Sequence, residues 1–387
     1  MVSRADRSLF GNWWWTIDKP MLFGLIGLIF IGLILSFAAS PATAEQLGLN
    51  SNYFVKRHAL FAIPAIGLMI GVSFLTPQLI RRFALLMFCV GIGLMVYTLF
   101  AGDAVKGSRR WISLAGFSLQ PSEVVKPAFI LLIAWFFSEN ARRPDIPGNV
   151  FAMVLLVIFG ALLVAQPDIG QTILVTLTWC AVFFMAGLSW VWISILGALS
   201  VGGMGAAYLF IPHVTGRIDR FINPESGDTY QVTKALEAFF SGGWFGRGPG
   251  EGVVKRNVPD SHTDFIFAVI GEEFGIIACL VLVLFFTLLV MRGLYLGFRQ
   301  DDIFVRLAVG GLIIMFGVQA AINMAVNLQL VPTKGMTLPF ISYGGSSMLS
   351  IASGMGMVLG LSRKRPKPSR MSLNPRKEHG LPTGMAA

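Results

Sequence analysis

The stretch Pro259-Asp260-Ser261-His262-Thr263-Asp264-Phe265-Ile266-Phe267 sets an acid, a histidine and an acid at the mouth of a long apolar helix. A carboxylate there can accept a proton, and an imidazole beside it can orient the carboxylate. Ionisable groups at the edge of an apolar span are costly, so they mark function by default. A helix-dipole role explains one acid at a helix start. It does not explain two acids, a histidine and the nearby cations together. Glu272 and Glu273 lie eight and nine residues beyond Asp264, about 12 Å along a helix. That is too deep to share one reacting atom with it, so the acids do not read as a paired-carboxylate hydrolase.

Further groups could bind an anion. Gly107-Ser-Arg109-Arg110-Trp111 is followed by Gln120-Pro-Ser-Glu123-Val-Val-Lys126. Two arginines beside a tryptophan suit a head group at an interface, although interfacial tryptophans are common in any membrane protein. Glu123 and Lys126 are i,i+3 neighbours and read as a structural pair. Asp168, in Gln166-Pro167-Asp168, reads as a helix cap. Gln319, Asn323 and Asn327 are spaced by four, so they share one helix face. That face either bonds to neighbouring helices or lines a polar cavity. The segment Leu330–Ser347 carries Lys334 and Ser342 among two prolines and several glycines. Irregular backbone at membrane depth survives only where protein or a cavity covers it. The glycine-dense run Gly242–Gly252 reads as a flexible surface loop that closes over a ligand.

The elements that position these groups follow from composition. The chain has 387 residues, 55% hydrophobic and 13% charged, with a mean hydropathy of +0.71. Apolar runs of about twenty residues recur, long enough to cross a hydrocarbon core roughly 30 Å thick. Inside lipid the backbone must bond to itself, and these runs are too long for barrel strands. The expected fold is therefore all-α and polytopic. About ten spans are expected, near 21–40, 58–76, 83–101, 122–138, 150–166, 168–187, 189–212, 264–291, 303–330 and 343–361. Segment 1–20 precedes them, with Trp13, Trp14 and Trp15 before a retained first span, and a basic tail covers 363–387.

An even count puts both termini on one side. Arg81, Arg82, Arg142, Arg143, Arg292, Arg299 and the tail make that side cytoplasmic. The other side carries Lys106, Arg109 and Arg110, and a long loop, 213–263, between spans seven and eight. That loop holds Arg217, Arg220, Lys234, Arg247, Lys255 and Arg256. These cations either pair with Asp219, Glu225, Glu237 and Glu251 or meet an anionic, phosphate-bearing ligand from outside. Cys89, Cys180 and Cys279 lie in separate apolar runs, which argues against a disulfide framework or a zinc site. The net charge of +10 follows topology and is not a nucleic-acid signal; no nucleic-acid, Walker A or H-E-x-x-H motif is present.

Taken together these motifs resemble the SEDS family, the FtsW/RodA proteins of bacterial cell-wall synthesis, over about residues 15–362. The resemblance rests on G-x-R-R-W…Q-P-S-E-x-x-K, Q-P-D-I-G, Tyr230-Gln231 with the glycine-rich loop, H-T-D-F-I-F-A-V-I-G-E-E, and the segment before the last span. Pro332-Thr-Lys334-Gly followed by Leu338–Ser347 looks like the FtsW branch. The chain departs from the usual pattern at Val258-Pro259-Asp260, at Thr233-Lys234 and at Glu251-Gly252. The resemblance implies a glycosyltransferase that polymerises lipid II at the outer face of the inner membrane during division, with Asp264 as general base and undecaprenyl pyrophosphate leaving. On that chemistry His262 is expected to orient Asp264, Arg109, Arg110 and Lys334 to meet the pyrophosphate, and Trp111 to wall the donor site. Gln319, Asn323 and Ser342 are further expected substrate contacts, and a divalent cation (Mg or Mn) is admitted. The implied partners are a class B penicillin-binding protein transpeptidase, other divisome proteins and membrane lipids at the septum. A lipid II flippase and a division-complex scaffold are the alternatives.

Overall fold

The structure is a computed structural model that describes residues 8–105, 108–114, 117–187, 190–210, 215–216, 219, 230–332 and 335–364. Its helices are α1 Leu9–Thr16, α2 Lys19–Gln46, α3 Tyr53–Ser73, α4 Pro77–Ala101, α5 Pro121–Arg142, α6 Gly148–Ala165, α7 Ile169–Met185, α8 Trp190–Phe210, α9 Tyr230–Gly242, α10 Ile266–Phe298, α11 Ile303–Asn327 and α12 Gly345–Leu361. Several begin where a short polar side chain caps the first free N–H groups. Asp18 accepts from Met21 N at 3.0 Å, Thr76 from Leu79 N at 3.3 Å and Asp302 from Val305 N at 3.3 Å.

Among the described residues, seven helices have the length and apolarity to cross a membrane, where the sequence led us to expect ten. Two others, α7 and α12, are apolar but only 17 residues long, about 26 Å of helix. Against expectation α7 loses one residue at its start and two at its end, and α12 loses two at its start. Gln166–Asp168 forms a turn and a cap before α7, and Tyr343–Gly344 belongs to the irregular segment before α12. The long α8 includes residues whose side chains fall outside the description.

The all-α expectation needs one addition. Residues between α4 and α5 form an antiparallel meander of β1 Asp103–Val105, β2 Ser108–Leu114 and β3 Phe117–Leu119. Its aromatic and β-branched residues fit a pleated surface, but strands this short are hard to read beside two long helices.

The central helices are α5, α11 and α12, whose faces are largely buried, while α4 and α6 turn most of their apolar surface outward. Close approach is enforced by small residues. A methyl on Gly32 of α2 would lie 2.2 Å from Phe340 O, so the irregular segment 335–344 is wedged against that helix. The two ends of the bundle differ. At one, Arg292 forks onto Asp18 (Nη2 2.6 Å, Nε 3.2 Å) and Arg142 pairs with Asp302 at 2.9 Å. At the other, the starts of α3, α10 and α12 meet the ends of α2 and α11 around Asp264.

Candidate functional site around Asp264

The turn before α10 is built on one carbonyl. Asp260 O accepts from Thr263 N (3.0 Å), Asp264 N (3.1 Å) and Phe265 N (3.3 Å). Asp260 itself is left-handed, with φ 53°, a conformation that Asp tolerates better than most residues. That tight turn presents Asp264, which is half-buried.

The turn is then pinned from two sides. Asn323 Nδ2 and Asn327 Nδ2 of α11 both donate to Asp264 O at 2.9 Å. Ser342 Oγ donates to Thr263 O at 2.5 Å, and Tyr343 N donates to His262 O at 3.0 Å. The same α11 face grips the irregular segment. Asn323 Nδ2 reaches Met336 O at 2.6 Å and Gln319 Nε2 reaches Thr337 O at 3.1 Å. Gln319, Asn323 and Asn327 are all buried. The amide nitrogens of this polar stripe bond to backbone carbonyls. Asn323 Oδ1 alone has no partner among the described residues. Lys334 lies outside the described residues. Its neighbour Gly335 is placed so that an added methyl would lie 3.1 Å from Asp264 Oδ2. The chain beside Lys334 thus passes the carboxylate.

His262 is half-buried against Phe54, with ring centroids 4.3 Å apart, and Tyr343, 5.7 Å. Burial lowers its pKa to about 4, against a weaker raising effect of Asp260. It is a neutral imidazole at pH 7 and adds no positive charge. Its Nδ1 finds no partner among the described residues.

The arginines expected at the donor sit on β2. Arg110 Nε donates to Gln166 O at 2.7 Å, another guanidinium nitrogen reaches Pro167 O, and Nη1 lies 3.5 Å from Asp168 Oδ2. Arg110 thereby fastens the meander to the turn before α7. Arg109 is exposed and donates to Phe100 O at 3.0 Å, and Trp111 is half-buried. Asp168 caps α7 through Gln171 N at 3.4 Å, as its position indicates. Lys126 donates to Glu123 (2.9 Å), Gln171 (3.0 Å) and Gln319 (3.1 Å), all buried. The structural reading of that pair holds, and Gln319 connects it to the segment beside Asp264.

The glycine-dense loop differs from expectation. Glu272 accepts from Val253, Val254 and Lys255 N–H groups at 2.7 Å each. Glu273 accepts from Gly250 N at 3.1 Å and pairs with Lys255, whose Nζ also reaches Ala38 O at 2.9 Å. Gly275, with φ 81°, breaks α10, and Gly243 O and Trp244 O take the N–H groups of Ile276 and Ile277. Residues 250–255 are therefore clasped by two buried acids. The chain shows flexibility in glycine content, but not the acids that cancel it.

Two features escaped the sequence reading. Lys255 is a buried ion-pair partner, not a loop cation. Arg57 on α3 donates to Tyr53 Oη at 2.9 Å and bonds to the Tyr343 hydroxyl. Only the i,i+4 spacing of Tyr53 and Arg57 hinted at this. Among the described residues no group of three or more His, Cys, Asp or Glu side chains is placed to hold a metal ion.

The fold and motifs have known counterparts. The family pattern described as "Cell cycle protein" (FTSW_RODA_SPOVE) matches residues 19–367. A "Probable peptidoglycan glycosyltransferase FtsW" of Caulobacter vibrioides is 47% identical over 365 residues, 94% of each chain. One of the same description from Trichlorobacter lovleyi is 36% identical over 89% of this chain and 93% of its own. A solved chain described under "Structural coordination of polymerization and crosslinking by a peptidoglycan synthase complex" superposes with a TM-score of 0.75 at 25% identity, covering 89% of this chain and 97% of its own. The Thermus thermophilus rod shape determining protein RodA superposes with a TM-score of 0.68 at 25% identity, covering 91% and 99%. With the motifs around Asp264 in their expected order and a match over nearly its whole length, the chain belongs to the SEDS family, the FtsW/RodA membrane glycosyltransferases.

Proposed function

We propose that this chain, a peptidoglycan glycosyltransferase by family, polymerises lipid II at the outer face of the inner membrane, with Asp264 as general base. The observation that carries this is the fixing of Asp264 through its main chain. Two amides take its carbonyl, and the residues on its N-terminal side are tied to Ser342 and Tyr343. Holding a base in place through backbone contacts is how a site preorganises proton transfer. The acceptor is the 4-hydroxyl of a GlcNAc. Its oxygen bonds to the anomeric carbon of the donor, the bond from that carbon to pyrophosphate breaks, and the proton passes to Asp264. Undecaprenyl pyrophosphate leaves as a stable anion and needs positive charge more than an acid. Arg109 and Lys334 are assigned to it, with Trp111 walling the donor. Glu272 and Glu273 are engaged by the loop 250–255 and are not offered as ligands to a divalent cation.

The finer topology follows the same reading: ten spans, both termini cytoplasmic, the loop 213–263 outside, and the protein at the septum. A class B penicillin-binding protein is assigned as its transpeptidase partner, with other divisome proteins as regulators. A flippase would need the polar face of α11 open along a path. That face instead bonds to backbone, which supports the polymerase.

The test is lipid II polymerisation by the purified protein with its partner. Asp264→Asn should lower the rate about 10²–10⁴-fold, the usual cost of a lost general base, with insertion and melting unchanged. Near-normal glycan synthesis by a well-folded Asp264→Asn protein sinks the assignment. Head-group-labelled lipid II in vesicles separates transport: translocation that survives Asp264→Asn, with no polymer under any condition, would replace the polymerase by a flippase.

A further inference from the structure

Most cations that the sequence offers near Asp264 already serve the fold. Lys255 is sunk on Glu273, Lys126 on Glu123, and Arg110 is bound to the turn 166–168. His262 is neutral at pH 7 because burial lowers its pKa. Arg57 is arranged differently. It is half-buried in the first turns of α3. Its Nη1 donates to Tyr53 Oη at 2.9 Å, its guanidinium lies 5.5 Å from the Tyr53 ring centroid, and it bonds to the Tyr343 hydroxyl. Phenol oxygens accept from the guanidinium, and two of them aim its planar fork.

The same side chains lead straight to the reacting end. Tyr343 N bonds to His262 O at 3.0 Å, two residues before Asp264. Phe54, one helical turn before Arg57, stacks on the His262 ring at 4.3 Å and meets the Tyr343 ring edge-on at 5.3 Å. Ser342, next to Tyr343, bonds to Thr263 O. Arg57 and Asp264 are thus held by one rigid cluster at one end of the bundle.

We propose that Arg57, aimed by Tyr53 and Tyr343, is an anion-binding residue that takes a phosphate of the pyrophosphate-linked lipid substrate on the same face as Asp264. A planar guanidinium fork matches two phosphate oxygens at once, and it counters charge that grows as the pyrophosphate leaves. The assignment deepens the polymerase reading and rests on it for the identity of the lipid.

The test measures binding apart from turnover. In full-length protein silenced by Asp264→Asn, affinity is measured for lipid II and for undecaprenyl pyrophosphate in detergent micelles. Arg57→Ala should weaken both about 10- to 100-fold, the range for a lost hydrogen bond to a charged group. Arg57→Lys should restore part of that loss, since it keeps the charge and loses the fork. Tyr343→Phe should give an intermediate loss. Lys56→Ala, exposed on the same helix, should change binding less than about twofold. Melting curves exclude misfolding, and if Arg57→Ala does not fold, Arg57→Lys and Tyr343→Phe carry the test. Unchanged affinity in folded Arg57→Ala, or in both substitutes when it does not fold, overturns the proposal. If Asp264→Asn retains polymerisation while Arg57→Ala still loses pyrophosphate-lipid binding, the base assignment fails and the anion site stands.

Discussion

Asp264 and the pair Glu272–Glu273 sit on one stretch of chain, yet the structure uses them in opposite ways. The pair is buried, and its oxygens are engaged by backbone N–H groups and Lys255. Asp264 is half-buried, two amides bond its carbonyl, and its neighbours' backbone is tied to Ser342 and Tyr343. One set of acids organises a loop by using its charge. The other acid is itself organised, through amides bonded to its own carbonyl. The difference shows what makes an ionisable residue at a membrane edge a candidate for chemistry. Cost alone does not, because both sets are costly to place there. The candidate is the one whose position is paid for by main-chain bonds.

Breaking the clasp should give the largest loss of stability. Lys255→Met leaves Glu273 as an uncompensated buried charge, and removing one partner of such a pair costs about 3–5 kcal/mol. Thermal or denaturant unfolding in detergent measures it. Lys255→Met with Glu273→Leu should recover most of the loss, since two apolar groups replace a buried pair with little net cost. A single mutant as stable as the parent would show that the clasp contributes nothing. Lys255 is accordingly no neutral comparator for the arginines of β2, although its place in a glycine-rich loop makes it look like one.

The amide ladder should respond in the opposite proportion. Asn323→Ala strips one of the two amide bonds from Asp264 O and the amide bond from Met336 O, at about 1–3 kcal/mol for two lost hydrogen bonds. The polymerisation rate should fall about tenfold to a hundredfold, because small misplacements of a reacting group are expensive in rate. Rate and melting temperature measured on the same preparation decide it. A rate loss no greater than that of an equally destabilised clasp mutant would erase the distinction between the two regions.

The sequence carried the membrane class, the motif order and the separation of Asp264 from Glu272 and Glu273, because apolar run length and residue spacing are local properties. It carried the Asp168 cap and the Glu123–Lys126 pair for the same reason. It could not carry partners distant in the chain. Glu272 and Lys255 are 17 residues apart, and Asn327 and Asp264 are 63. Gln319 and Asn323 looked equally suited to a cavity and to a structural role, since spacing fixes a face but not what faces it. The glycines of Gly242–Gly252 signal conformational freedom, but the acids that remove it lie some twenty residues on, at Glu272 and Glu273.

A smaller effect separates the two arginines of β2. Arg110 bridges strands and turn through the carbonyls of Gln166 and Pro167, so Arg110→Ala should destabilise by about 1–2 kcal/mol. Arg109 is exposed, and Arg109→Ala should cost less than about 0.5 kcal/mol. Its effect should appear instead in the lipid II dependence of the rate. Melting curves and rates at several lipid II concentrations test both; equal destabilisation by the two would show that the turn does not depend on Arg110.

The smallest effect near neutral pH belongs to His262, and its sign is fixed. Its pKa in the folded protein is lowered from 6.5 to about 4, first by burial. The unfolded chain therefore takes up a proton before the folded one does. Stability from this group is complete above about pH 6.5 and is lost as the pH falls toward 4. At pH 7.5 nothing should change. At pH 5 the loss should reach about 1–2 kcal/mol. Asp260 opposes burial at this site, so removing its charge should deepen the loss. Melting temperatures at pH 7.5 and pH 5, compared between the parent and His262→Gln, isolate the contribution. The parent should lose more on acidification than the variant, because glutamine does not titrate. An equal loss in both would place the acid sensitivity at another group and leave His262 with a packing role alone, against Phe54 and Tyr343.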